Sequence, residues 1–285
     1  MNSRKLSKIQ LKKKAFEIRQ DLLRSLAEAG SGHTGGSLGM TDIFTALYFN
    51  ILNHDPAHPD WPLRDRLILS IGHIAPVFYA TLAHSGYFPV NELQTLRKLG
   101  SRLQGHPGKD FGLPGIELSS GSLGQGLSVA VGLALAGKLD HADYRVYCVL
   151  GDGELQEGSV WEASMSAAHH KLDHLIAIVD RNQCQIDGTT SQVMELEPLT
   201  DKWKAFGWQV LNINGHDFDE IINAFEEAAK VTDRPVVIIA HTIMGKGVKC
   251  IENDYHWHGK VPDKIQLEEF LKELDRNVDL GEPSL

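Results

Sequence analysis

The amino-acid sequence predicts an α/β domain, a doubly wound parallel sheet with helices on both faces. Three observations carry that expectation. Short apolar runs at 66–70, 145–150, 174–180, 209–213 and 235–240 are continuous rather than alternating, as in strands buried on both faces. Stretches of helical period stand between them, and parallel neighbours need such crossovers. No internal repeat, low-complexity tract or Pro/Ser-rich linker interrupts the chain.

Residues 6–29 read as an amphipathic helix stopped by Gly30, whose missing Cβ suits a left-handed C-terminal cap. Its start is rich in cations (Arg4, Lys5, Lys8 and Lys12 to Lys14). These alternate with Ile9, Leu11, Phe16 and Ile18, so a solvated helix face explains them better than a nucleic-acid arm. Thr41 or Ser37 is placed to cap a second helix reaching about Ile51. A short strand at 66–70 and a helix at 75–85 follow. From Gly121 the order is regular: helix 127–139, strand 145–150, helix 158–170, strand 174–180, helix 199–206 and strand 209–213. Asp217 with Glu220 looks like a capping box for a helix running to about Lys230, and strand 235–240 comes next. A polar helix at 265–274 and an acidic tail close the chain. The expected organisation is one domain over 1–285, with 1–115 as an N-terminal elaboration and 263–285 as a C-terminal helix and tail.

Composition narrows the classes. With 42% hydrophobic and 23% charged residues, the 285-residue chain is ordinary for a globular protein with a sizeable core. A net charge of −9 argues against nucleic acid as the main partner. Cys148, Cys184 and Cys250 form neither a disulfide framework nor a C-x-x-C pair, which fits a reducing, cytoplasmic setting. No secretory apolar region and no long apolar run suggests export or membrane spanning.

In a doubly wound sheet, ligands sit beyond the carboxyl ends of the strands. The loop after strand 145–150 reads Gly151-Asp152-Gly153-Glu154, and that after strand 174–180 reads Arg181-Asn182-Gln183-Cys184. Twenty-eight residues separate Gly153 from Asn182, room for one helix and one strand, so Asp152 and Asn182 should reach adjacent strand ends. One carboxylate, one amide oxygen and ligand phosphates form the donor set that Mg²⁺ requires, with Ca²⁺ or Mn²⁺ as substitutes. The flanking glycines let backbone approach a phosphate, and the following helix start adds amide donors. Taken singly, each segment is an ordinary turn.

Four histidine segments stand out, each beside glycine: Ser31-Gly32-His33-Thr34-Gly35-Gly36, Ser70-Ile71-Gly72-His73, Gln104-Gly105-His106-Pro107-Gly108 and Tyr255-His256-Trp257-His258-Gly259. A lone Gly-His is usually a loop histidine. Several together suit proton transfer near neutral pH. The remaining histidines, His216 among them, read as structural or exposed. Gly121-Ser122-Leu123-Gly124-Gln125-Gly126, directly before a helix, allows close approach to a flat ring. It is a poor dinucleotide fingerprint, since no clear strand leads into it.

Together, GDG and an asparagine one β-α-β step later resemble the signature of thiamine-diphosphate enzymes, with Gln183 where many members carry a second Asn. From about Gln10 to Pro262 the chain is similar to the transketolase family, in which SGHPG, GH, GHP, GPLGQG, GDG and a downstream Asn occur in this order. The resemblance implies a thiamine-diphosphate-binding fold of the diphosphate-holding type. It implies that His33 contacts donor and acceptor sugars, His73 the diphosphate and His106 the region of the donor C1 hydroxyl. Gly121 and Leu123 would offer backbone to the aminopyrimidine. Asp152 and Asn182 would hold Mg²⁺ with the backbone carbonyl of Cys184, and Gly153 would meet the diphosphate. Glu157 matches a glutamate linking two active sites across a subunit interface. His258 matches the late active-site histidine, with His256 as the alternate.

Thr34 stands where the family commonly has Pro, and Ile74-Ala75-Pro76 where full-length members often have Gly-Ser. Both departures resemble two-gene transketolases. The family also needs a second α/β domain whose glutamate activates the aminopyrimidine. The expectation is therefore ketol transfer between sugar phosphates or close analogues, shared with a C-terminal transketolase subunit in a heterotetramer. The alternatives are the equivalent half of a deoxyxylulose-phosphate synthase-like or 2-oxo-acid dehydrogenase enzyme, and a cofactor-binding or assembly subunit without turnover.

Overall fold

The computed structural model describes residues 5–277; Arg4 and the acidic tail at 278–285 lie outside the described residues. Helix α1 spans Lys8–Ala29. Ser7 caps it through a reciprocal pair, Gln10 N to Ser7 Oγ at 3.3 Å and Ser7 N to Gln10 Oε1 at 2.8 Å. It stops at Gly30, whose φ of +66° is the left-handed conformation expected there. Next come α2 (Thr34–Gly39), α3 (Thr41–Ala46) and a π turn over Leu47–Ile51. Ser37 and Thr41 do not cap a single helix. Their hydroxyls bond back to the carbonyls of His33 (2.7 Å) and Ser37 (2.9 Å), and the chain bends at Met40.

Strand β1 (Arg66–Leu69) and helix α4 (Ala75–His84) precede a long irregular stretch. Then follow α5 (Gly126–Leu139), β2 (Val146–Gly151), α6 (Gly158–His169) and β3 (Leu175–Arg181). A two-residue hairpin, β4 (Cys184–Gln185) with β5 (Gly188–Thr189), leads to α7 (Thr190–Val193) and α8 (Leu199–Ala205). The hairpin is too short to carry a periodic signal. Finally come β6 (Gln209–Asn214), α9 (Phe218–Ala228), β7 (Val236–His241) and α10 (Lys264–Asn277). Asp217 caps α9 through the amides of Asp219 and Glu220, but Glu220 does not close a box. Its carboxylate takes the amide of Asn214 at 2.8 Å, because the Asp217 amide is already spent on the Asn214 carbonyl.

The five long strands form one parallel sheet in the order β1-β2-β3-β7-β6. Along β2, Tyr147 and Val149 face a core with Leu22, Phe44, Phe78 and Phe225, while Val146, Cys148 and Leu150 face another with Leu127, Trp203 and Trp208. That period-two division explains why the strands are apolar throughout. Residues before Gly115 supply edge strand β1 and helices α1, α3 and α4, which cover the first face. Among the described residues no helix is long and apolar enough to cross a membrane.

Candidate functional site

Gly151 at the end of β2 is in register with Asp180 of β3, and Asp180 with Ala240 of β7. Parallel strands of matched length therefore deliver their following loops to one edge. A cavity of about 240 Å³ opens there, lined by residues including His73, Leu123, Asp152, Asn182, Cys184 and His258. Larger depressions lie elsewhere, about 330 Å³ near Lys138 and His174 at the opposite strand ends, and about 500 Å³ beside Cys250 and Arg276. Neither gathers any of the motif residues.

Asp152 is 1% exposed and fully occupied on one oxygen. Its Oδ2 accepts from Gln183 N at 2.6 Å and Arg181 Nη1 at 2.9 Å, and its Oδ1 accepts from Gly153 N at 2.8 Å. Burial pushes this carboxyl up, and the Arg181 and amide bonds pull it back. Arg181 is also paired with Glu197 at 2.9 Å. Asn182 donates from Nδ2 to Asp180 Oδ2 at 2.8 Å and accepts the Cys184 amide on Oδ1 at 2.9 Å. The other Asp180 oxygen takes the hydroxyl of Thr242. Burial, with the Asp152 charge adding to it, pushes Asp180 up to about 7 against the pull of its two donors.

This arrangement fits a hard cation. Each carboxylate oxygen offers about two lone pairs, so Asp152 Oδ1 keeps one free, as does the amide oxygen of Asn182. The Cys184 thiol is pushed up to about 11 by burial and the nearby Asp152 and Asp180 charges, so it is no thiolate ligand, and its contribution is limited to the backbone oxygen. Among the described residues no group of three or more His, Cys, Asp or Glu side chains forms a self-sufficient metal site. A cation held here would need the ligand's own oxygens, the usual habit of Mg²⁺.

Glu154, passed over in the sequence, ties the site together. It is 2% exposed and accepts from the Ser70 hydroxyl, Gly124 N (2.7 Å) and Gly151 N (3.0 Å). Those bonds join the ends of β1 and β2 to the 121–126 loop. The same loop closes on Gly72, where a Cβ would lie 2.8 Å from Gly121 N. Gly121 itself has φ +151° and would press a Cβ to 3.1 Å from the His106 ring. Glycine is required by space at Gly72, and by space and conformation together at Gly121.

Facing the carboxylates is a group of imidazoles. Ring centroids are 4.9 Å apart for His33–His73, 5.1 Å for His73–His258 and 5.7 Å for His33–His258. Burial, then the neighbouring rings, drives His73 down to about 3; burial, His258, Arg97 and His106 drive His33 down to about 4. Burial lowers His258, and burial with Arg97 lowers His106. All four rings are neutral at pH 7, each with one donor and one acceptor nitrogen. Buried His33 Nδ1 has no protein partner among the described residues, which suits it to a ligand. His33 and His106 both lie outside the cavity lining, His33 against the rings of His73 and His258 and His106 beside Gly121. His256 points away, bonded to Asp254 at 2.7 Å. Glu157 is exposed at the start of α6 and does not line the cavity.

Residues 12–274 match the family described as transketolase, thiamine diphosphate binding domain. The chain belongs to the transketolase family. It is 47% identical to the 6-deoxy-6-sulfo-D-fructose transketolase subunit SqwG of Clostridium sp. (strain MSTE9), covering 94% of this chain and 97% of that one. It is 43% identical to an apulose-4-phosphate transketolase subunit of Phocaeicola vulgatus, over 92% of each. Human transketolase is 38% identical over 93% of this chain, but only 42% of its own length is matched. The crystal structure of transketolase from Campylobacter jejuni superposes with a TM-score of 0.87 at 35% identity, covering 98% of this chain and 45% of that one. The chain thus spans less than half the length of these two transketolases, and nearly all of the two shorter relatives.

Proposed function

We propose that this chain is the diphosphate- and metal-holding subunit of a two-subunit transketolase, acting in the cytoplasm on sugar phosphates or close analogues. The carrying observation is Asp152 and Asn182 on adjacent strand ends, facing His73 and His258 across one cavity, with the His33 ring packed against these two. When bound, thiamine diphosphate supplies the nucleophilic carbon and electron sink for breaking and making the carbon–carbon bond beside a ketone. Asp152, Asn182 and the Cys184 carbonyl would hold Mg²⁺, and Gly153 and His73 would meet the diphosphate. Gly121 and Leu123 would offer backbone to the pyrimidine. Neutral His33, His106 and His258 can take a proton from a sugar hydroxyl or return one to a carbonyl oxygen, which suits a reaction run in both directions. Exposed Glu157 is free to serve at a subunit contact.

Relatives of nearly equal length carry the word subunit in their names, which supports a separate C-terminal partner, and the usual two-fold pairing of such assemblies makes the unit a heterotetramer. Their names also favour ketol transfer over the deoxyxylulose-phosphate synthase-like and 2-oxo-acid dehydrogenase alternatives, and the intact Asp152, Asn182 and histidines speak against a subunit without turnover. The test is ketol transfer over a panel of donors and acceptors, with this chain alone and with a candidate partner, in Mg²⁺ and thiamine diphosphate. Turnover is expected only from the pair. Turnover by the isolated chain, unchanged when the partner is added, overturns the reading.

A further inference from the structure

The loop after β7, residues 242–245, bears on both halves of the site. Thr242 donates to Asp180, which orients Asn182. Gly245 N donates to the Gly35 carbonyl at 2.9 Å, and a Cβ on Gly35 would lie 2.6 Å from Met244 Cγ. The loop therefore presses on the first turn of α2, the helix whose N-cap is His33.

Backbone bonds from Thr242 N to the Arg181 carbonyl and from Asn253 N to the Met244 carbonyl also hold the loop. Among the described residues the one side-chain acceptor for its amides is His216, a histidine without any motif context. The Ile243 amide donates to its Nε2 at 2.8 Å, so the ring proton is on Nδ1, which donates to Asp42 Oδ2 at 2.8 Å. Asp42, 5% exposed, takes both terminal nitrogens of Arg19, at 2.9 and 2.7 Å. Burial pushes the Asp42 carboxyl up, but the Arg19 charge and the His216 bond more than offset this and keep it ionised. A buried ion pair adds little net stability over apolar residues of equal volume, and what it supplies best is a unique arrangement. Here the arrangement runs from α1 through α3 and the turn after β6 to one amide of the 242–245 loop.

We propose that Arg19, Asp42 and His216 form a positioning relay that sets this loop and, through it, the placement of Asn182 and His33. The consequence for ligand binding rests on the reading of Asp152 and Asn182 as the cofactor site. The relay itself stands on the hydrogen bonds alone.

The experiment uses the assembled enzyme and compares His216→Leu, His216→Gln and Thr242→Val. Amide hydrogen exchange at 243–245, Mg²⁺-dependent thiamine diphosphate affinity by calorimetry and thermal midpoint are read together. Leucine fills the space without a ring nitrogen. An amide left without its acceptor is expected to exchange about tenfold faster or more, with cofactor affinity falling about tenfold. Glutamine restores an acceptor and should recover most of both. Thr242→Val should weaken cofactor binding while exchange at Ile243 stays at the wild-type rate. A purely structural role would lower the midpoint in His216→Leu with no selective change at 243–245 and affinity within twofold, and that result overturns the relay. If the leucine variant fails to fold, the other two decide. Faster exchange at 243–245 in glutamine than in wild type by tenfold, or unchanged cofactor affinity in Thr242→Val, overturns it. Should wild-type enzyme bind no thiamine diphosphate, the cofactor reading fails, and exchange at 243–245 still decides whether the relay holds the loop.

Discussion

Replacing Asp152 by Asn separates its two roles. The carboxylate accepts three hydrogen bonds, two on Oδ2 from Gln183 and Arg181 and one on Oδ1 from Gly153. Asparagine has a single oxygen. Turned toward Arg181 and Gln183 it keeps two bonds and sets its NH₂ against the Gly153 N–H, and the opposite rotamer loses two. The better rotamer forfeits one bond, about 1 kcal/mol, and weakens the charge-assisted one by about another 1 kcal/mol. Arg181 keeps Glu197 at 2.9 Å, so no cation is stranded, and the total of about 2 kcal/mol falls short of the ~3–5 kcal/mol for deleting half of a buried pair. The same rotamer puts an NH₂ where Oδ1 held the free lone pair, removing the anionic metal ligand. Cofactor affinity in Mg²⁺ should then fall by more than about tenfold, at least ~1.4 kcal/mol. Urea unfolding of the chain gives the first quantity, and calorimetry on the assembled enzyme gives the second. A stability loss of about 2 kcal/mol with affinity within twofold of wild type would refute the metal assignment and leave Asp152 as the structural partner of Arg181.

His33→Ala and His106→Ala are expected to lower kcat by ~10²–10⁴-fold while the cofactor still binds, read by steady-state kinetics beside calorimetry. Glu154→Gln should cost about 1–3 kcal/mol in urea unfolding, because one of three converging donors, Ser70, Gly124 and Gly151, must then meet an NH₂. His33 has its folded pKa lowered from 6.5 to about 4, so between those values the unfolded chain binds a proton that the folded one does not. Its contribution to stability is complete above about pH 6.5 and is lost as the pH falls toward 4. Moving from pH 7 to pH 5 should therefore destabilise the wild type by about 2 kcal/mol more than His33→Asn in paired unfolding curves, a difference in which groups remote from the His33, His73, His106 and His258 cluster cancel.

Much of this protein is local information. The strands are legible because a parallel strand between two helical layers has to be apolar on both sides, and β2 and β3 show that without help from distant residues. Asp152 and Asn182 are legible because one β-α-β step fixes where two strand ends lie. Gly30 reveals the end of α1 for the same reason, since caps are satisfied within a turn. The cap at Ser7 emerged only from the structure, which starts the helix at Lys8 rather than residue 6. Tertiary structure alone decided the rest. His33, His73 and His258 come from three separate segments, and only packing brings their rings within 6 Å while His256, two residues away, faces solvent. Glu154, Asp180 and His216 carry no motif of their own. Their roles depend on partners 30, 62 and 174 residues away, and a hydrogen bond between such distant groups leaves no period or spacing in the chain.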